Sequence, residues 1–207
     1  MTIRLESPFP AHALPRAWLW MESFRTRVAD DFSPKTLEEF MAKMLNPQPT
    51  EKTWGVYRDE ELGGIVSFQR LSPWLGTAHC VFKPAFWGWA TTVPALRVAF
   101  DEIFAGGVGK LTFPVFANNK AVIALIVTGL GGYREGVLKQ HTVRDGEPVD
   151  MLVCRLTKGE YEKGKLNAIR DTSGTAHLVG DRGGIVDSGQ RIVEPQEDRN
   201  HNTNAVA

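Results

Sequence analysis

Residues 77–107 read TAHCVFKPAFWGWATTVPALRVAFDEIFAGG, and this stretch decides the fold. Thr77 to Lys83 is a short β-type run that Pro84 ends, because proline has no N–H to give to a ladder. Pro94 stands where a first helical residue belongs, with its φ already helical and its missing donor not needed there. After it Leu96, Ala99, Phe100, Ile103 and Phe104 recur at three- and four-residue spacing, the apolar face of a helix. Gly106-Gly107 closes that helix, since glycine takes the left-handed cap cheaply. Between strand and helix lies Phe86-Trp87-Gly88-Trp89-Ala90-Thr91-Thr92. A loop in that place presents free backbone N–H groups at a helix N-terminus, where orphan donors and the positive dipole end attract phosphate. The same residues also suit an ordinary strand-to-helix turn.

Before this stretch, Thr2 to Glu6 alternates as a short strand, and Leu14 to Ala29 reads as a helix opened by Pro15, with Leu14, Trp18, Met21 and Val28 on one face. A second helix starts with Ser33 as cap, Pro34 at its first position and Phe32 stapled onto Leu37; Asn46-Pro47 ends it. Lys52 to Arg58 and Gly64 to Leu71 form a hairpin about the turn Asp59 to Gly63. After the central helix come a strand, Lys110 to Ala117, and a short apolar helix, Ala121 to Val127, opened by Asn118-Asn119. Tyr133 to Val143 and Val149 to Leu156 are strands about Asp145-Gly146, a strong hairpin signal. The order is β-α-α-β-β-β-α-β-α-β-β.

In this order the chain resembles the GCN5-related N-acetyltransferases, especially the branch that acetylates protein N-termini, including those of ribosomal proteins. In that family the loop reads Gln/Arg-x-x-Gly-x-Gly/Ala and its amides hold the pyrophosphate of acetyl-CoA. Trp87 stands at the Gln/Arg position, Ala90 at the first glycine and Thr92 at the second small residue, while Gly88 falls on a position that is often glycine. The motif is degenerate, because Ala90 and Thr92 carry Cβ atoms where phosphates pass close to the backbone. Asn119, then Ala121-Val122-Ile123 and Gly129 to Gly136, is similar to the family's Asn-x-x-Ala…Leu-Gly-Phe-x-x-Glu-Gly, and Asp150 and Glu160-Tyr161 match an Asp and a Glu-Trp/Tyr of that branch. The resemblance covers residues 2 to 161. It implies an α/β (α+β) protein of the acyl-CoA N-acyltransferase fold, a mixed central sheet of about seven strands flanked by helices. It also implies acetyl-CoA held by Trp87, Gly88, Trp89, Ala90, Thr91, Thr92 and Asn119, and an amine acceptor that is a protein N-terminus or a small amine.

Acetyl transfer to an amine needs a held thioester, a neutral amine and a donor to the leaving thiolate. His79 lies mid-strand, facing away from Ala78 and Cys80, with an intrinsic pKa suited to taking the amine's proton. It also suits a place inside the sheet. Asn119 fits either a positioning role or a helix cap. The family's acid is a tyrosine about seven residues after the Asn, where this chain has Ile126; Tyr133, after the helix, is the hydroxyl nearest in sequence. The other class of function is a binding or assembly module that kept this fold and lost its chemistry, as in acetyltransferase-like proteins encoded by bacteriophages, some of them parts of the virion.

The 207 residues carry 24 basic and 24 acidic side chains, so no net charge draws the chain to nucleic acid or an anionic membrane. Cys80 and Cys154 suit buried thiols in a reducing compartment, and no His/Cys/Asp cluster has metal-ligand spacing. The N-terminus lacks a signal pattern, and Ala121 to Val127 is too short to span a bilayer. These features predict a cytoplasmic protein. Residues 162–207 contain no aromatic residue, and the apolar pairs Leu178-Val179, Ile185-Val186 and Ile192-Val193 recur at seven-residue spacing. That composition predicts a polar tail, disordered or ordered as an arm on a protein partner.

Overall fold

The computed structural model describes residues 2–25 and 29–173, with side chains as far as residue 165. Seven strands make one sheet: β1 (Ile3–Glu6), β2 (Glu51–Arg58), β3 (Glu61–Arg70), β4 (Leu75–Phe82), β5 (Lys110–Phe116), β6 (Tyr133–Arg144) and β7 (Glu147–Thr157). Their order is β1-β2-β3-β4-β5-β7-β6. Only β4 and β5 pair in parallel, because a helical crossover joins them while the others pair antiparallel. The helices are α1 (Leu14–Glu22), α2 (Leu37–Leu45), α3 (Thr92–Ala105), α4 (Lys120–Ala124), which runs into a π-helical turn Leu125–Gly129, and α5 (Lys158–Ser173).

The alternation of β3 and β4 divides the core into two. Val66, Phe68, Ala78 and Phe82 point to one face and pack under Leu96, Ala99, Phe100, Ile103 and Phe104 of α3. Ile65, with Leu62 and Tyr57, points to the other face and meets Leu14 and Ala17 of α1 and Phe40 of α2. Each Val, Leu, Ile or Phe among them taken out of water contributes about 1.5–3 kcal/mol. The sheet therefore presents one wall to α3 and the opposite wall to α1 and α2.

Several boundaries differ from the sequence reading, each for a local reason. α1 ends at Glu22 rather than Ala29, and Val28 lies outside the described residues. The cap of α2 is Thr36, whose Oγ1 accepts the N–H of Glu39 at 3.2 Å. Ser33 instead donates to Asp30 Oδ1 at 2.8 Å, and Phe32 is exposed rather than stapled to Leu37. α3 starts at Thr92, because the N–H of Thr92 already bonds Gly88 O at 2.9 Å; Pro94 still lies in the first turn, where no donor is needed. The β2–β3 turn is only Asp59-Glu60, both at positive φ, so Glu61, Leu62 and Gly63 belong to β3.

The largest difference is α5, which runs through the expected domain boundary at Tyr161. Thr157 and Glu160 form a capping box: Thr157 Oγ1 accepts the N–H of Glu160 at 3.3 Å, and Glu160 Oε2 accepts that of Thr157 at 2.8 Å. Tyr161, 3% exposed, packs on Phe100 and Phe104, and its hydroxyl donates into the pair Arg97 O and Asp101 Oδ1 at 2.8 and 2.9 Å. The compact unit ends at Ser173. The arm expected over the rest of the tail lies outside the described residues.

Candidate active site

Two threonines mark the vertex of the site. β4 and β5 pair only over Leu75–Thr77 against Lys110–Thr112. There Thr77 Oγ1 donates to Thr112 O and Thr112 Oγ1 donates to Gly76 O, both at 3.3 Å. Beyond this junction β4 continues to Phe82 and β5 to Phe116 with no ladder between them. β3 holds β4 from one side and β7 holds β5 from the other, so the strands stay apart. Main-chain groups facing the gap have no strand to pair with and are left for a ligand. A cavity of about 500 Å³ occupies it, walled by residues 78–81 and 113–116, with Leu96, Phe100 and Ile126 beneath.

His79 stands at the mouth of this gap. Ala78 is 4% exposed under α3, so His79 points to the opposite wall, directly across from Ser67. The ring is open to water on one side and walled on the others, where it also lines a second cavity, of about 190 Å³, under α1 and α2. Its pKa is lowered from 6.5, first because the surrounding protein strips hydration from the imidazolium, then because the Lys43 ammonium opposes a second positive charge; Asp30 acts in the other sense. A histidine so placed is neutral at pH 7 and ready to accept a proton. Cys80 lines the same gap, but burial pushes its thiol up to about 12, which keeps it protonated and inert.

Asn119 takes both of its expected places. Its Oδ1 accepts the N–H of Val122 at 3.3 Å, capping α4, and the residue lines the large cavity. Its amide nitrogen has no acceptor among the described residues. Ile126, at the position of the family's tyrosine, is buried in the π-turn and lines the cavity as an apolar surface. Tyr133 is not brought to the site. It opens β6 opposite Arg155, whose guanidinium lies 5.1 Å from the ring centre, and it is 53% exposed on the outer strand. Glu135 pairs with Lys110.

The loop before α3 is anchored from below. Phe86, fully buried, fills the space left by Gly63; Arg58 lies 4.2 Å over its ring and donates to Ala85 O at 3.0 Å. Trp87 Nε1 donates to Phe82 O at 2.6 Å, and Trp89 lies against Gly129 of the π-turn. Within the loop the amides divide. Those of Thr91 and Thr92 both turn onto Gly88 O, at 3.3 and 2.9 Å. Those of Gly88, Trp89 and Ala90 have no acceptor among the described residues, and these three residues are exposed. Gly88, at φ +123°, makes this arrangement possible, since side-chain-bearing residues rarely take that conformation. Three successive free N–H groups thus lie just ahead of a fourteen-residue helix, an arrangement that attracts anions.

A seven-stranded mixed sheet, a parallel pair that splays in its middle and a helix N-terminus at the open end define the acyl-CoA N-acyltransferase fold. No family model matches the chain, and no curated protein matches it. Solved structures do. The chain is similar to RimJ of Mycobacterium smegmatis, solved in complex with CoA-disulfide, at 15% identity and a TM-score of 0.69, over 81% of this chain and 90% of that one. It is similar to RimL, a ribosomal L7/L12 alpha-N-protein acetyltransferase, at 16% identity and a TM-score of 0.66, over 76% and 91%. A spermidine N-acetyltransferase SpeG chimera from Vibrio cholerae and human SSAT gives 14%, 0.65, and 78% and 99%. At such identities the likeness shows the fold, that of the GCN5-related N-acetyltransferases. Among the described residues no helix is long and apolar enough to cross a membrane, and no cluster of His, Cys, Asp and Glu is placed to hold a metal ion.

Proposed function

We propose that this protein is an acetyl-CoA-dependent N-acetyltransferase acting on a primary amine. The observation that carries the reading is the joining of three parts: free amides at 88–90, an open gap between β4 and β5, and a neutral histidine at its mouth. The residues fit the coenzyme: Gly88, Trp89 and Ala90 would hold its pyrophosphate, and the unpaired main chain of β4 and β5, with Asn119, its pantetheine arm. When bound, acetyl-CoA supplies an acyl thioester whose acetyl group passes to the amine nitrogen with loss of the thiol. His79 takes the proton that the amine must lose, directly or through one water. Ile126, Phe113 and Leu96 keep the gap apolar and so limit hydrolysis. With Ile126 where a tyrosine would stand, no side-chain phenol serves the leaving thiolate, and solvent at the open mouth is its proton source.

A titration tests this reading against that of a binding or assembly module. Trp87 and Trp89 flank the proposed phosphate seat, so micromolar to millimolar acetyl-CoA quenches or enhances their fluorescence saturably. The ligand also raises stability, by about 2.7 kcal/mol at a hundredfold excess over its Kd. Ala90→Asp sets a carboxylate against the phosphates without harming the helix, whose N-terminus favours negative charge, and should abolish both effects. If millimolar acetyl-CoA gives neither a saturable signal nor a thermal shift, the enzyme reading fails and the binding module stands in its place.

A further inference from the structure

Resting on acetyl transfer at His79, we infer that the acceptor is a primary amine bearing one apolar side chain and a nearby carboxylate, and that a polyamine is excluded. The second cavity decides this. It opens beside His79 and is lined by Trp18 and Met21 of α1, Phe40 and Met44 of α2, and Ile65 and Val81 of the sheet. At about 190 Å³ it has room for one side chain; an apolar cavity of about 150 Å³ already holds a benzene ring. An ammonium group among these apolar side chains loses most of its water; the one carboxylate of the lining, Glu22, is paired with Arg25, and Ser33 and Ser67 are its other small polar groups.

The charges at the rim point the same way. Glu22 and Arg25 pair with each other at 3.6 Å, and Arg25 also donates to Ser33 O at 3.4 Å. Asp30 stays ionised, bonded by the hydroxyls of Ser33 and Thr142 at 2.8 and 2.9 Å, but it lines the larger cavity and not this one. Lys43 has no carboxylate partner among the described residues, lines both cavities and is close enough to His79 to depress its pKa. An acceptor whose amine lies at His79 therefore places its side chain in the pocket and its carboxylate toward Lys43. A second ammonium in that place is repelled.

Release of CoA thiol, measured with saturating acetyl-CoA, tests this on phenylalanine, phenylalaninamide, glycine, spermidine and the dipeptide phenylalanyl-aspartate. Phenylalanine or the dipeptide should exceed glycine in kcat/KM by about tenfold or more, and phenylalaninamide should fall below phenylalanine. Which of the two acids leads tells whether a free amino acid or a peptide N-terminus supplies the chemistry. Lys43→Glu, an exposed position, should lower the acids about tenfold and raise spermidine; Met44→Gln should narrow the ratio of phenylalanine to glycine. Transfer that treats glycine as well as phenylalanine, or prefers spermidine, overturns the inference and leaves the acetyltransferase reading standing. Acetyl-CoA binding without transfer to any of these amines also overturns the acceptor assignment. Loss of acetyl-CoA binding itself fails the reading beneath it.

Discussion

Gly63→Ala tests how the loop before α3 is held. A Cβ at position 63 would lie 2.3–2.4 Å from three atoms of the Phe86 ring, and ordinary contact begins at 3.4 Å, so the ring must retreat by about 1 Å. Phe86 is fully buried and cannot give way without moving the turn that leads to Trp87. Overpacking of this kind costs about 1–3 kcal/mol. Against it stands about 0.4–1 kcal/mol gained from a less flexible unfolded chain, because position 63 has no left-handed φ that alanine would resist. The clash wins by roughly 1.5 kcal/mol, and in a domain of this size each kcal/mol moves Tm by about 2–4 °C. Thermal unfolding followed by circular dichroism should therefore show a fall of about 3–6 °C. Acetyl-CoA should bind more weakly as well, since Thr92 Oγ1 hangs from Phe86 O at 2.9 Å and moves with it. In Gly63→Ala/Phe86→Leu the smaller side chain relieves the clash, and a double-mutant cycle should give coupling above about 0.5 kcal/mol. An unchanged Tm in the single variant, or strict additivity in the pair, refutes the packing and with it the account of the loop.

His79→Ala should lower turnover by roughly 10²-fold or more while Tm moves little; a variant that loses stability and keeps its rate would assign the ring to packing. In the wild-type protein the reactive form is the neutral imidazole, and its pKa is depressed below 6.5, so kcat/KM should stay flat at pH 7 and fall only as pH drops below that value. A chain ended after Ser173 should keep its Tm, whereas one ended after Glu160 loses the buried Tyr161 and should be less stable by about 3–5 kcal/mol. Equal Tm values for the two would remove α5 from the core.

Much of the fold was legible because the strands and α3 carry strong periodic patterns. Leu96, Ala99, Phe100, Ile103 and Phe104 are all buried, and Asp145-Gly146 is a two-residue turn with both φ values positive. What misled was residue type without context. Gly63 reads as a turn residue, yet it lies in β3 because Phe86 presses on it from beyond any local window. Ser33-Pro34 looked like a helix start, but Ser33 is engaged by Asp30, and the weaker-looking Thr36-x-x-Glu39 supplies the cap. The signal for α5 is Thr157-x-x-Glu160, set against a stretch after Tyr161 that holds no aromatic residue and so looks unlike a packed helix. At the site, His79 and the loop were found from the strand and its proline. The splay between β4 and β5 was not, for it depends on where a parallel ladder stops. Nor was the cavity under α1 and α2, whose lining comes from α1, α2, β3 and β4 and the loop before α2.

The departures of the loop from its family motif carry less weight than the sequence suggests. Two of the three side chains that replace small residues or precede the helix are turned inward: Thr91 and Thr92 are 5% and 4% exposed, and Thr92 Oγ1 donates to Phe86 O. Their Cβ atoms therefore lie inside the loop rather than on the face that free amides present. The glycine requirement has moved to Gly88, whose φ of +123° turns the chain so that the amides at 88–90 stay unpaired. Of these three only Ala90 is exposed, and its methyl is the remaining obstacle to a phosphate approaching the backbone. Ala90→Gly should then tighten acetyl-CoA binding, by at most about tenfold or 1.4 kcal/mol, with the melting temperature of the free protein unchanged or slightly lower. Isothermal titration gives the affinity directly. If Ala90→Gly weakens binding while Ala90→Asp abolishes it, the alanine methyl supports the ligand rather than hindering it, and the seat does not lie where its free amides place it.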